Sequence, residues 1–84
     1  MGRYYFDIVE AAGWTRDAEG ADLDDEAAAR AHAACLLVEV AREVVRDGDM
    51  TALAVEARND AGVPLFRASL RLRFSEPTGG VTRG

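Results

Sequence analysis

Residues 24–48 read DDEAAARAHAACLLVEVAREVVRDG, and this stretch predicts one long helix. It has no glycine or proline between Asp25 and Asp47, and its first half is dominated by alanine and leucine, which favour helix. Asp24 is expected to cap the start of the helix, since its carboxylate can accept hydrogen bonds from the free amides of the first turn. Gly48 stands where a left-handed glycine commonly ends a helix. The remaining elements are therefore expected to pack against one central helix.

A β-hairpin is predicted before this helix. Residues 3–10 are rich in aromatic and β-branched side chains with partial alternation, which is typical of a half-buried strand. Residues 11–13 are expected to form a turn, and residues 14–16 a short second strand. The opening of the chain is therefore predicted to be two antiparallel strands.

A second hairpin is predicted after the helix. Its strands are expected over residues 51–58 and 63–74, joined by a turn over 59–62. Along the last strand, apolar residues fall on one face and arginines on the other. Pro64 has no amide hydrogen, so the start of this strand is expected to be irregular or at a sheet edge.

Together these elements predict an α+β fold, a single domain over residues 1–74 with the order β-β-α-β-β and a flexible tail over 75–84. The two hairpins form one antiparallel four-stranded sheet, and the long helix packs on one face. The residues expected to form the core between them are Tyr4, Phe6, Ile8, Leu53, Val55, Phe66, Leu70 and Leu72, under Leu36, Val40 and Val44.

Composition limits the classes of function and the compartment. An apolar share of 49% excludes a disordered chain, and a net charge of −5 makes the chain as a whole repel nucleic acid and anionic membrane. No segment approaches the ~18 apolar residues of a transmembrane helix, and the first residues lack an apolar signal core. The single cysteine, Cys35, cannot form an internal disulfide. We therefore expect a cytoplasmic protein.

Arginines near the end of the chain give the strongest indication of a binding surface. The residues predicted to share the sheet face away from the helix are Tyr5, Arg58, Arg67, Arg71 and Arg73. Such a basic, partly aromatic face is typical of nucleic-acid-binding sheets. The same arginines could instead pair across strands with Asp7 and Glu56, each exposed pair contributing ~0–1 kcal/mol. The acidic net charge favours pairing, so a small nucleic-acid-binding regulator is the alternative hypothesis. A hairpin followed by an acidic helix start resembles the antitoxin half of small toxin–antitoxin pairs, and this likeness of fold implies an antitoxin-like regulator.

The predicted helix carries more apolar surface than one sheet can cover. A second apolar stripe lies beside the core stripe and consists of Ala34, Val38, Ala41 and Val45. Two copies could bury this stripe against each other, and two-fold pairing is the commonest protein assembly. The sequence therefore predicts a homodimer, formed through this helix or through a sheet edge.

No residue pattern indicates an enzyme, a metal site or a cofactor. His32 and Cys35 lie three residues apart on one side of the helix, but a closed zinc site needs about four ligands. A Cys–His nucleophile needs a cleft and a third, orienting group. The acids from Asp17 to Glu26 lack the spacing of an EF-hand, and helix capping with solvated turns explains them. We therefore expect a non-enzymatic, self-associating protein-interaction module.

Three segments resemble a family of short uncharacterised bacterial proteins classed as a domain of unknown function. They are Arg3-Tyr4-Tyr5-Phe6-Asp7, Arg16-Asp17-Ala18-Glu19-Gly20, and Leu23-Asp24 leading into an alanine-rich helix. Residues 56–62 resemble the second hairpin turn of that family, while residues 10–13 depart from its first turn. The resemblance covers about residues 3–74. It implies no activity, cofactor or site residue.

Overall fold

The computed structural model of the chain describes residues 1–46, 48 and 52–78. The elements in chain order are β1 (Gly2–Glu10), β2 (Gly13–Thr15), β3 (Ala21–Leu23), α1 (Glu26–Arg46), β4 (Ala52–Asn59) and β5 (Pro64–Arg71). All strand pairs are antiparallel and belong to one sheet of order β2-β1-β4-β5, in which β3 also pairs with β1. The predicted α+β fold, with one helix on one face of an antiparallel sheet, is confirmed.

Within the described residues the sheet has five strands, where the sequence predicts four. β3 pairs with the beginning of β1, with Gly2 opposite Leu23, and β2 pairs with the end of β1, with Glu10 opposite Gly13. Because β3 has only three residues, it is too short to show an alternating pattern in the sequence. One edge of the sheet therefore consists of two short strands placed end to end along β1.

The second hairpin has the irregular start that its proline predicts. Ala57 lies opposite Phe66 and Arg58 opposite Pro64, so Leu65 is an extra residue in β5 and forms a bulge. In the turn, the Asn59 side-chain oxygen accepts hydrogen bonds from the amides of Ala61 and Val63, both at 2.9 Å. The strand predicted over 63–74 ends at Arg71.

The helix start is one residue later than predicted. Asp25 Oδ1 accepts a hydrogen bond from the Ala28 amide at 2.9 Å, so Asp25 is the capping residue instead of Asp24. At the other end Gly48 has the predicted left-handed backbone, with φ 81°. Its amide donates to the Val45 carbonyl at 2.9 Å. In the described part of the chain, no helix combines the length and the apolar character needed to cross a membrane.

The core is small, and alanine forms much of its helical side. The row Ala29, Ala33, Leu37 and Ala41, spaced four residues apart, is buried against the sheet. Its sheet partners are Phe6, Leu53, Val55 and Ala57. Because alanine has a small side chain, this row lets the helix lie close to the strands. The predicted covering residues Leu36, Val40 and Val44 lie at the margins and are only half-buried.

Two residues predicted in the core are largely outside it. Leu70 and Leu72 are each 38% exposed, because Leu70 lies on the edge strand and Leu72 follows the end of that strand. The single domain over 1–74 and the tail over 75–84 remain predictions. Residues 75–78 have no helix or strand, and the rest of the predicted tail lies outside the described residues, as does the start of the strand predicted at Thr51.

Candidate interaction surface

A gap in the sheet edge between β2 and β3 is filled by Asp17. In this gap, residues 5–7 of β1 have no strand on that side. Asp17 Oδ2 accepts a hydrogen bond from the Phe6 amide at 3.0 Å. Its Oδ1 accepts from the amides of Glu19 and Gly20 at 3.0 and 3.1 Å. One carboxylate therefore replaces the missing strand carbonyl and holds the loop over residues 16–20 against β1.

A buried ion pair lies on the sheet face away from the helix. Asp7 is only 5% exposed. Arg58 Nε donates to Asp7 Oδ2 at 3.0 Å, and its Nη2 donates to Oδ1 at 3.3 Å. The same Nη2 donates to the Asp17 carbonyl at 2.7 Å, and the Asp17 amide donates to Asp7 Oδ1 at 2.8 Å. These three residues, which we call the Asp7 network, join β1, β4 and the loop.

The Asp7 network keeps its carboxylates ionised. Burial acts to raise the pKa of Asp7, but hydrogen bonds from Arg58 and from the Asp17 amide, with the nearby arginine charges, outweigh it and hold that pKa below its ordinary value. Burial likewise acts to raise the pKa of Asp17. Three backbone amides and the charge of Arg58 outweigh it, so the pKa of Asp17 is also lowered. The charge of Arg58 is therefore neutralised inside the fold.

Tyr5 belongs to the same closed arrangement. The Arg58 guanidinium carbon lies 4.6 Å from the centre of the Tyr5 ring, within the range of a cation–π contact. The Tyr5 hydroxyl lies 3.3 Å from Asp60 Oδ1, to which it donates. Of the five residues predicted to form an open basic face, Tyr5 and Arg58 are therefore engaged within the protein.

The other three predicted arginines differ among themselves. Arg67 pairs with Glu56 on the neighbouring strand, with both side chains exposed. Asp7 and Glu56, the two carboxylates that the sequence indicates as possible partners of these arginines, thus pair with Arg58 and Arg67. Arg71 and Arg73 are exposed, and neither forms a salt bridge within the described residues. The unpaired positive charge of this face therefore lies at the end of β5.

Apolar side chains alternate with these two arginines. Leu70 points to the helix side of the sheet, opposite the core residue Leu53, and remains partly exposed. Leu72 follows with the same exposure, and Phe74 is 91% exposed. Since β5 ends the sheet order, its outer side has no strand neighbour among the described residues. We call β5 together with residues 72–74 the β5 edge.

The predicted dimer stripe is only partly available. Ala41 is buried in the core, whereas Ala34, Val38 and Val45 are exposed, Val38 by 56%. Ala27 and Ala31 lie on the same side of the helix and are also exposed. We call the five exposed residues Ala27, Ala31, Ala34, Val38 and Val45 the helix flank.

The helix flank lies on the β5 side of the helix. Arg30 is 4.8 Å from the Phe66 ring of β5, while His32, on the other side of the helix, packs at 4.7 Å on the Phe6 ring of β1. At 100° per residue, Ala34 and Val38 follow Arg30 in the direction away from His32. The exposed apolar surfaces of the helix and of the β5 edge therefore lie on one side of the molecule.

The other polar candidates are dispersed. His32 is exposed and stacks on Phe6, and Cys35 is a free, exposed cysteine. Within residues 1–46, 48 and 52–78, no three His, Cys, Asp or Glu side chains are grouped so that they could hold a metal ion. Of the acids from Asp17 to Glu26, Asp17 has a larger structural role than the sequence indicated. In the sequence, this role of Asp17 is indicated only by its position in a segment that carries the family resemblance.

Comparison with known proteins gives one match. The family model described as "Domain of unknown function (DUF6894)" matches residues 3–71. No curated protein and no solved structure matches the chain. The matched range includes both hairpins, the Asp17 loop and the whole of α1. The chain therefore belongs to this family, a domain family of unknown function.

Proposed function

We propose that this chain is a non-enzymatic protein-interaction module that acts in the cytoplasm as a homodimer. The observation that carries the proposal is the contrast between the two surfaces of the domain. Asp7 and Arg58 of the open sheet face are engaged with each other in the Asp7 network, while the β5 edge exposes Leu70, Leu72 and Phe74. Three exposed large apolar side chains within five residues of the chain support a protein interaction site there.

The Asp7 network supports a structural role over a catalytic one. A general base works best when its pKa lies near the operating pH, but the pKa values of Asp7 and Asp17 are shifted away from neutrality. Their oxygens already accept hydrogen bonds from Arg58 and from backbone amides. These groups are therefore proposed to stabilise the fold.

Self-association is proposed to use the helix flank. Its small residues let two helices approach closely, and Val38 near its middle supplies exposed apolar area. In an antiparallel pair, the acidic helix start of one copy, with Asp25 and Glu26, lies near the Arg42 and Arg46 end of the other. Opposite charges and opposed helix dipoles both favour this arrangement.

The nucleic-acid alternative has less support. Arg58 and Arg67 are paired with carboxylates, and of the predicted basic face only Arg71 and Arg73 lack a salt bridge among the described residues. Nucleic-acid affinity rises with the number of phosphates neutralised, and a chain of net charge −5 adds general repulsion. A protein partner is therefore the function that these contacts favour.

The test is capture of partners from the native cells with a tagged full chain, with and without nuclease. We expect a stoichiometric protein that survives nuclease treatment. A Leu72→Asp variant should lose this partner. Ala12→Asp should retain it, because Ala12 is exposed in the turn between β1 and β2, at the edge of the sheet opposite β5. Recovery of nucleic acid, or loss of all partners after nuclease, would contradict the proposal and support the alternative.

A further inference from the structure

We infer that the β5 edge binds an extended acidic peptide as an added strand, in which aspartate or glutamate alternates with apolar residues. The inference rests on the proposed function and names the chemical class of the partner. An exposed sheet edge presents backbone amides and carbonyls that can pair with another extended chain. Alternating side chains of that chain then determine which sequence is accepted.

The backbone of β5 offers a longer template than the opposite edge. β5 spans eight residues, of which 66–71 follow the bulge at Leu65 in regular pairing, and within the described residues it pairs with β4 alone. At the other edge, β2 and β3 have three residues each, and Asp17 occupies the space between them. An added strand at that edge would meet an interrupted set of hydrogen-bonding groups, so β5 is the edge suited to an extended partner.

The side chains of the β5 edge define the pattern of the partner. Leu70 lies on the helix side of β5, and Leu72 and Phe74 follow the strand as exposed apolar residues, so all three are available to apolar residues of an added strand. Arg71 lies on the other face of β5 and Arg73 follows the strand; both are exposed, and among the described residues neither has a salt-bridge partner that would compete with a carboxylate of the peptide. In antiparallel strands, residues directly opposite each other lie on the same face, and opposite charges there are stabilising. A peptide of alternating acidic and apolar residues therefore satisfies both faces.

A second copy of this chain fits the β5 edge less well. If two β5 strands pair about a two-fold axis, the face of the sheet away from the helix is the same face in both copies. Arginines on that face of one copy would then lie near those of the other, namely Arg67, Arg71 and Arg73. Like charges directly opposite each other are destabilising. This repulsion directs self-association to the helix flank and leaves the β5 edge to an acidic partner.

The first test measures fluorescence anisotropy with labelled peptides and the full chain. The probe is a peptide in which glutamate alternates with valine. The two controls are a peptide of the same composition with its glutamates and valines in separate blocks, and one with lysine in place of glutamate. We expect the alternating acidic peptide to bind about tenfold more tightly than either control, with affinity falling as salt rises. Equal affinity for the alternating and block peptides would overturn the inference.

The second test places the peptide on β5. Arg71→Glu should weaken binding of the acidic peptide about tenfold and strengthen binding of the lysine peptide. Arg16→Glu makes the same charge change at an exposed position next to β2, at the edge of the sheet opposite β5, and should leave both affinities unchanged. Binding should also slow amide hydrogen exchange in β5. Circular dichroism checks that each variant is folded.

Other outcomes separate this inference from the proposed function. If Arg71→Glu leaves the acidic peptide bound, or if a single-stranded oligonucleotide competes with it at equal affinity, the β5 inference is overturned. If a nuclease-resistant protein partner is captured from cells while the peptide does not bind β5, the interaction-module proposal stands and the β5 inference fails.

Discussion

Asp7 and Glu56 lie directly opposite each other in the β1–β4 register, yet their carboxylates have different surroundings. Asp7 is buried and paired with Arg58, while Glu56 forms an exposed pair with Arg67. We expect Asp7→Ala to lower the free energy of unfolding by about 3 kcal/mol, because it leaves buried donors without an acceptor. Glu56→Ala should cost less than about 1 kcal/mol. Urea denaturation at neutral pH measures both, and equal losses would contradict the structural role of the Asp7 network.

The lowered pKa values of Asp7 and Asp17 predict a loss of stability in acid. Their folded-state pKa values lie below the ordinary 3.8, so the unfolded chain binds more protons in this range. The stabilisation is complete above the ordinary value and is lost as the pH falls through the folded-state values. The free energy of unfolding, measured by urea denaturation from pH 7 to below pH 4, should fall most steeply there. Asp7→Asn should make this fall shallower, and an unchanged slope would count against the assignment.

Gly20 combines a left-handed backbone with close neighbours. Its φ is 73°, and a Cβ atom there would lie 2.9 Å from the Tyr4 carbonyl oxygen and from the Tyr5 ring. Gly62 has φ 84° but nothing within 4 Å of such an atom. We expect Gly62→Ala to cost about 1 kcal/mol from backbone strain, and Gly20→Ala to cost clearly more. Thermal unfolding of the two variants makes the comparison. Similar losses of stability would show that the Asp17 loop shifts to make room for the added methyl group.

At the level of elements, the helix start distinguishes two neighbouring acids. Asp25 accepts the hydrogen bond from the Ala28 amide and also supplies the carbonyl that accepts from Ala29. Asp25→Ala should therefore lower the free energy of unfolding by about 1 kcal/mol. Asp24→Ala removes only a nearby charge and should cost a few tenths of a kcal/mol. Urea denaturation measures both losses, and a larger loss for Asp24→Ala would show that Asp24 is the capping residue, as the sequence predicts.

The elements differ in how far the sequence could predict them. The helix, β1, β4 and β5 have several turns or pleats over which periodicity repeats, and all four were placed within a few residues. β3 was missed because three residues carry no period, and its existence depends on hydrogen bonds to β1, which is distant in the chain. For the Asp17 loop the sequence indicates only a solvated turn, because the hydrogen bonds that hold this loop join it to β1 and β4, which are distant in the chain.

At the level of the whole molecule, the helix flank predicts self-association. Sedimentation of the untagged chain at high micromolar concentration should show a particle of twice the 9.0 kDa chain mass. Val38→Glu should give the single-chain mass, because it places two charges in the contact between helices. Val63→Glu is the matched control, since Val63 is 50% exposed in the second turn and away from the helix. A 9.0 kDa particle for the original chain would contradict the homodimer.

The candidate surface shows which part of a site the sequence can indicate. Alternation along residues 66–74 was sufficient to predict which residues of β5 share a face, because side chains of a strand point alternately to its two sides. It could not show that Arg58 and Arg67 are paired while Arg71 and Arg73 are exposed. Those differences depend on which residues of β4 and of the Asp17 loop lie nearby.

The sequence by itself determined the α+β class, the long helix and the two faces of the main strands, since each depends on local periodicity and on capping or turn residues. Only the tertiary structure decided the strand order, the third strand, the burial of Asp7 and the exposure of Leu70, Leu72 and Val38. The physical reason is that burial and pairing are set by neighbours far apart in the chain. Periodicity shows which side a residue faces, but not whether another part of the chain covers it.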